Sequence, residues 1–514
     1  MKIWLISREY AGIAEAGGVK NVSCSLCEGL HSLGEDVTLF IPQYGCTSLS
    51  QVQNYQEQNL TLEISVGNSL YEVSYSKGIC NGVPIVFIVS SLFLEKKGVY
   101  TYTSEEELQN PLHIKGTGHH EALIMNVLFQ RAVLAYGLNM GEIPDVIHCQ
   151  DAATALIPFL AREDFHYRDL YIVTKFLVTI HNAGPGYHHN FFNIDHAIFL
   201  TGLSYDSLKK GLLGESVEPF ILSSYYATLT TVSPWYAEEL LEPDNSFTEG
   251  LSKYFYDNSI SIIGITNGID YEKYNPTSCM QSYLPYEFNP EKNDLKGKFL
   301  LKQDFLKTYT EKKDILPGIE QFGVFEANSP KEVTLFSFHG RIVWQKGIDV
   351  LLKAWEKIVL NFDNVLLVIN GQGQQDIEKK IIEMTEKYHG KIVYFRGYHR
   401  SLARETVAAS DFIVLPSHFE PCGLEDFIAQ IFGTIPIAHK KGGLQKIISG
   451  KTGFTYEPNS EDELISVLCD TIAWFKTDKQ SVKSLINLAA CYVHSEYSWE
   501  HVIKEHYIPL YKKN

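Results

Sequence analysis

At 514 residues the chain is longer than one hydrophobic core accommodates, so two or three domains are expected. Its 44 Lys and Arg against 61 Asp and Glu leave a formal charge of −17, which argues against nucleic acid or anionic lipid as a main partner. That balance does not exclude a small anionic substrate, because a few basic residues in one cleft outweigh the global field.

The amino terminus, Met1-Lys-Ile-Trp-Leu-Ile-Ser7, is briefly apolar but lacks a small-residue cleavage site, and reads as a buried strand over Lys2–Ser7. No run of about 18 apolar residues follows anywhere, so no membrane span is expected. The Gly17-Gly18 pair leads into a helix from Lys20 to Leu33. Cys24 and Cys27 form a Cys-x-x-Cys pair on that helix, without the second ligand pair a zinc site needs, and read as two small residues on a buried face. The nine cysteines are odd in number and show no repeated spacing, which fits a reducing, cytoplasmic setting.

Further strands are expected at Asp36–Ile41, Asp145–His148, Phe176–Ile180 and Thr228–Val232. A polar stretch running to about Lys292 follows Thr266-Asn267-Gly268-Ile269-Asp270 and marks a boundary. A second series begins past residue 330, with strands at Val333–Gly340, Val365–Asn370, Ile392–Arg396, Phe412–Pro416 and Ile435–Ala438 and a helix at Ile348–Val359. Short apolar runs alternating with amphipathic helices signal α/β architecture. Two tandem Rossmann-like, doubly wound domains facing across a cleft are expected, residues 1–268 and 269–495, with 496–514 as a closing helix.

Four segments carry candidate chemistry. Glu15-Ala-Gly-Gly-Val19 is a strand-to-helix turn whose glycines and helix amino terminus suit an anion, or simply make a tight turn. Phe338-His-Gly-Arg-Ile-Val-Trp-Gln-Lys-Gly347 places Arg341 and Lys346 on one loop, where a forked guanidinium and a compact ammonium can hold a diphosphate from two sides. Ser417-His-Phe-Glu-Pro-Cys-Gly-Leu-Glu425 sets Glu420 before a turn that opens a helix. The amides of Cys422, Gly423 and Leu424 are expected to face a ligand, and Glu420 to accept from sugar hydroxyls. Thr179-Ile-His-Asn-Ala183 ends a strand with His181, a candidate catalytic or sugar-contacting group, although a lone strand-end histidine is more often structural.

Together these segments resemble the bacterial glycogen synthase and plant starch synthase family, in the same order over nearly the whole chain. Ser7-Arg-Glu9, Gly17-Gly18, Asp145-Val-Ile-His148 with Asp151, Thr179-Ile-His-Asn182, Thr231-Val-Ser-Pro234, Glu249-Gly-Leu251 and Asn267-Gly-Ile-Asp270 carry the likeness in the first half. Gly340-Arg341, Gln345-Lys-Gly347, Gly397-Tyr-His399, Phe419-Glu-Pro-Cys-Gly-Leu424, Gly433-Thr-Ile-Pro436 and Gly442-Gly-Leu444 carry it in the second.

The resemblance implies the double-Rossmann glycosyltransferase B architecture and transfer of glucose, with retention, from ADP-glucose to the non-reducing end of an α-1,4-glucan. It implies donor nucleotide mainly on the second domain and glucan on the first. Arg341 and Lys346 are then the pair that neutralises the departing diphosphate, Glu420 lies near the transferred glucose, and His181 helps stabilise the oxocarbenium-like centre. Tyr398 stacks on the base. Glu15, Gly17, Gly18, Asp151, Asn182, Asn267, Cys422, Gly423 and Leu424 fall to substrate binding, and no metal is expected. The family's last helix crosses back to the first domain, which assigns that role to Ser498–Lys513.

The sequence departs from the family at two places. Glu15 stands where the family usually carries a lysine that contacts donor phosphate, and Ala152-Ala153 replace the Trp-His that follows Asp151. These departures keep open a related transferase using UDP-glucose and a catalytically degenerate glucan-binding relic. A phosphorylase is disfavoured by the short chain and the absence of a pyridoxal-lysine context.

Overall fold

The computed structural model describes residues 1–312, 316–326 and 332–513. The chain forms two compact units. Unit 1 comprises Met1–Asn267 with Val502–Asn514, and unit 2 Gly268–His501. The division falls at Asn267/Gly268 where 268/269 was expected, and the return to unit 1 begins at Val502 where residue 496 was expected.

Unit 1 is built on a nine-stranded sheet. Its strands are β1 (Lys2–Ile6), β2 (Asp36–Pro42), β3 (Gln53–Val66), β4 (Ser69–Cys80), β5 (Val83–Val89), β6 (Val146–Gln150) and β7 (Lys175–Ile180). After the two-residue strands β8 (Leu212–Leu213) and β9 (Ser216–Val217), which form a separate hairpin, come β10 (Thr228–Thr231) and β11 (Ile262–Gly264). The order is β11-β10-β7-β6-β1-β2-β5-β4-β3, parallel throughout except that β4 runs antiparallel to β5 and β3. Every residue of Ile3–Ile6 and Val146–Gln150 is buried, as a strand covered by helices on both faces must be.

The helix Ala122–Met140 is apolar on nearly every side. By length and composition it could cross a membrane, but it is mostly buried inside unit 1 as a core helix. The carboxyl-terminal segment is helical from Trp499 to Lys512 with one wide π turn at Ile503–Tyr507. Its Tyr511 hydroxyl lies 2.8 Å from His148 Nδ1, and His148 Nε2 lies 2.6 Å from Thr179 Oγ1. A chain of hydrogen bonds thus ties the last turn to β6 and β7.

Unit 2 holds a seven-stranded sheet of β12 (Glu320–Phe322), β13 (Thr334–His339), β14 (Val365–Gly371), β15 (Ile392–Arg396), β16 (Phe412–Leu415), β17 (Ile435–His439) and β18 (Phe454–Tyr456). The order is β12-β15-β14-β13-β16-β17-β18, parallel apart from β12. Alternate residues of each strand enter opposite cores. Leu335, Leu366, Val368, Val393, Phe395 and Ile413 pack on one face, and Phe336, Leu367, Ile369, Tyr394, Phe412 and Val414 on the other. That partition is the two-residue period of a strand buried on both sides, and it explains why these strands read as unbroken apolar runs.

Candidate functional site

The candidate residues of unit 2 gather at the carboxyl ends of its central strands, where an open α/β sheet presents its loops to ligands. After β13 the chain turns through Gly340 and Arg341 and makes one short 3₁₀ turn, Trp344–Lys346. Gly347 then follows at φ +65°, and a Cβ there would stand 1.7 Å from the Pro416 carbonyl oxygen. Only glycine allows the backbone to turn left-handed and pass so close. The β13 and β16 loops are thereby pressed together. His418 N–H donates to the Gln345 carbonyl (2.9 Å), and Gln345 Nε2 donates to the Phe419 carbonyl (3.1 Å).

This contact brings Lys346 Nζ to 2.5 Å from Glu420 Oε2, which also accepts from Ser417 Oγ at 3.1 Å. Arg341 is exposed and makes no ion pair among the described residues. The two expected diphosphate ligands therefore differ: one is already neutralised by the carboxylate, the other is not. Tyr398, at the end of β15, presents a ring that is 65% exposed.

The Cys422–Leu424 turn precedes a helix whose first residue is Glu425. The Gly423 and Leu424 amides donate to no acceptor among the described residues.

A second pair sits beside this one and carries no expected role. His339 Nδ1 is 2.8 Å from Glu425 Oε2. Burial alone would lower the His339 pKa, but the charge and hydrogen bond of Glu425 raise it. Burial likewise works against the Glu425 carboxylate, and His339 holds it below its ordinary value. A histidine ending a strand and an acid opening a helix were both visible in the sequence; what was not visible is that β13 and the turn after β16 adjoin.

In unit 1 the candidates also lie at strand ends. Asp151 follows β6 at φ +67°, a left-handed conformation uncommon for a residue with a side chain and a frequent mark of a functional turn. Its Oδ1 accepts the His181 amide at 3.2 Å. Burial pushes the Asp151 carboxyl up to about 7, against hydrogen bonds from the His181, Asn182 and Ala152 amides. The His181 ring lies 2.8 Å from Gln150 Oε1 through Nε2, and burial holds it near 4 and hence neutral. With that oxygen as acceptor, Nε2 carries the proton and Nδ1 the lone pair.

The Asn182 side chain is committed to a local turn, accepting the Gly184 amide at 2.8 Å. Asn267, where unit 1 hands over to unit 2, is buried with its Oδ1 unpartnered among the described residues. Ala152 and Ala153 are buried as well.

At the Gly17-Gly18 turn two amides face an internal anion: Glu9 Oε2 accepts from Ala16 at 3.0 Å and from Gly17 at 2.5 Å. Glu15 accepts the Gly12 amide (2.7 Å) and is ion-paired with Lys20 at 2.8 Å. Among the described residues no three His, Cys, Asp or Glu side chains converge as a metal site.

Comparison with known proteins gives a consistent result. The family model for the starch synthase catalytic domain matches residues 2–256, and that for glycosyl transferases group 1 matches residues 321–490. A glycogen synthase of Thermodesulfovibrio yellowstonii is 30% identical over the whole of this chain and 97% of its own. One from Lactobacillus acidophilus is 28% identical over 94% of this chain and 96% of its own. The catalytic domain of starch synthase IV from Arabidopsis thaliana, solved bound to ADP and acarbose, superposes with a TM-score of 0.80 at 25% identity, covering 99% of this chain and 98% of that one. Sucrose-phosphate synthase from Thermosynechococcus elongatus shares the fold, with a TM-score of 0.55 at 15% identity over 99% of each chain.

Proposed function

The chain belongs to the bacterial glycogen synthase and plant starch synthase family of glycosyltransferases, and from that premise we propose that it extends an α-1,4-glucan with glucose from ADP-glucose, retaining configuration, in the cytoplasm. The observation that carries this reading is the pair of loops after β13 and β16, where Lys346 meets Glu420 at 2.5 Å and Arg341, five residues before Lys346 on the same loop, is exposed with no ion pair among the described residues. Two fixed cations at one strand edge suit a leaving diphosphate, and preorganised donors of this kind are worth roughly 3 to 4 kcal/mol each in a closed site. In this reading Arg341 and Lys346 take the developing charge, Glu420 binds a glucose hydroxyl, and Tyr398 stacks on the base. The Gly423 and Leu424 amides complete the donor site. Neutral His181, held by Gln150 and Asp151, offers its ring to the transferred sugar.

No metal enters the proposal, since the basic pair does the neutralising. Retention by double displacement would need a second carboxylate as nucleophile. The residue eight positions past Glu420 is the buried Ile428, so we favour front-face attack, with the departing phosphate accepting the proton of the glucan hydroxyl. Trapping of a covalent glucosyl-enzyme would overturn this step.

A second donor has one observation in its favour. The position usually held by lysine is the acidic Glu15, already paired with Lys20, and UDP-glucose is the alternative it leaves open. The test is glucose incorporation into glycogen from ADP-glucose and from UDP-glucose, beside Arg341→Ala/Lys346→Ala. Incorporation from ADP-glucose that the double variant loses supports the proposal; preference for UDP-glucose revises the donor. Glycogen binding without transfer from either donor would leave a glucan-binding relic.

A further inference from the structure

We infer that Lys446 is a positioning residue for the donor site, a role that rests on the reading of the Glu420–Leu424 turn given above. Its side chain is 1% exposed and that of its partner Asp426 is 0% exposed. The ammonium donates to the carbonyls of Cys422 (2.5 Å), Gly423 (3.0 Å) and Gly443 (3.1 Å), and lies 3.0 Å from Asp426 Oδ1. The Phe427 ring closes over it at 4.5 Å. Three carbonyls thus take the three N–H groups, with the Asp426 carboxylate in ion-pair contact, in a place from which water is excluded.

A trans peptide is planar, with its C=O and N–H pointing in opposite directions. The carbonyl of Cys422 shares a peptide plane with the amide of Gly423, and the carbonyl of Gly423 with the amide of Leu424. Lys446 draws both carbonyls inward and so turns both amides outward, and these are the amides that have no acceptor among the described residues. The neighbouring turn is held equally closely. Gly443 N–H donates to the Glu420 carbonyl at 2.8 Å, and a Cβ on Gly443 would come within 2.1 Å of the Cys422 carbonyl oxygen. One buried ammonium therefore sets the direction of two binding amides and pins the backbone that follows Glu420. A neutral side chain of the same length would fill the space but leave the carbonyls without a donor.

A buried ion pair can also be merely structural, and the two possibilities separate cleanly. Removing one partner strands a buried charge, whereas removing both can restore stability. The variants are Lys446→Met and Lys446→Met/Asp426→Leu, read by thermal melting, calorimetric titration of ADP, and the KM for ADP-glucose and for glycogen. The single variant is expected to melt lower and the double variant to recover. ADP affinity and donor kcat/KM should nonetheless stay down by about 100-fold in both, the scale of a misplacement near 1 Å, while the glycogen KM holds.

Recovery of ADP affinity together with stability would overturn the inference. Hydrogen exchange without ligand supplies an arm independent of the donor assignment. The Gly443 and Ile428 amides, bonded to the Glu420 and Leu424 carbonyls, should exchange faster in the double variant, and unchanged exchange would also overturn it. Failure of the unaltered protein to bind ADP at all would instead strike the donor-site reading and leave the exchange arm to decide the role of Lys446.

Discussion

Replacing Glu420 by glutamine should tighten the binding of ADP while slowing glucose transfer. Lys346 is engaged by Glu420 at 2.5 Å, so a diphosphate must share that ammonium with a carboxylate. A phosphate oxygen held by the same ammonium puts its charge about 5 Å from the carboxylate, which at an effective dielectric of 20 is a repulsion of roughly 3 kcal/mol. Both side chains are partly solvated, Lys346 at 21% and Glu420 at 14% exposure. Screening therefore reduces the net effect to about 1 to 2 kcal/mol, or about tenfold in affinity. Glutamine keeps the shape and a carbonyl for Ser417 but removes the charge. The assay is calorimetric titration of ADP, which has no glucose for Glu420 to contact, over a series of salt concentrations. The gain should shrink as salt rises. Unchanged or weaker ADP binding by Glu420→Gln would refute the reasoning, because the carboxylate would then not oppose the diphosphate.

Other consequences follow from unit 1. Both ring nitrogens of His188 face acceptors, Glu218 Oε2 at 2.9 Å and the Ala183 carbonyl at 3.0 Å; burial lowers its pKa, but the Glu218 hydrogen bond and charge raise it above the ordinary value. Its contribution is full below the unfolded pKa and lost as pH climbs through the raised one, so the melting advantage over His188→Gln/Glu218→Gln should fall as pH rises above about 6.5; a flat difference would exclude the ion pair. Asp151, pushed up to about 7 by burial, binds more protons folded than unfolded, so stability declines as pH rises through that window. Asp151→Asn, which imitates the neutral form, should gain on the unaltered protein as pH rises from about 4 to about 7 in melting scans, and a constant gap would show the carboxylate ionised throughout. Tyr511→Phe leaves buried His148 Nδ1 without a partner and should destabilise unit 1 by about 1 to 3 kcal/mol in denaturant titrations; no loss would mean that the last turn is not anchored there.

The sequence was most legible where both faces of a strand are buried. The apolar runs at Asp36–Ile41, Val365–Asn370 and Ile392–Arg396 lie within one residue of β2, β14 and β15 at each end. The β3–β4 hairpin escaped notice because Gln53–Val66 is largely polar and exposed; its order comes from backbone pairing to β4, which composition does not reveal. The helix Ala122–Met140 gave no amphipathic signal because core surrounds it.

At the site, strand-end loops carrying Arg341, Lys346 and Glu420 could be picked out by residue type and spacing. Partnerships between loops could not. Glu9 filling the Ala16–Gly17 amides, His339 meeting Glu425, and Lys446 drawing in the Cys422 and Gly423 carbonyls all depend on separations of 7 to 86 residues that only the fold closes.

The discontinuity of unit 1 bears on how the chain is made. Its sheet is encoded before Asn267, but the segment that joins Tyr511 to His148, and that seats Ile503 where a Cβ on Gly29 would come within 2.3 Å of its side chain, is translated only after unit 2. At ribosomal rates of roughly 5 to 20 residues per second, the first-made unit waits on the order of ten to fifty seconds for this element. Unit 2, continuous from Gly268 to His501, has no such delay and can close first, reversing the usual amino-to-carboxyl order. Loss of the Val502–Lys513 segment would therefore damage the part of the protein made first, and nascent unit 1, still lacking that helix, is the species a chaperone would need to shield.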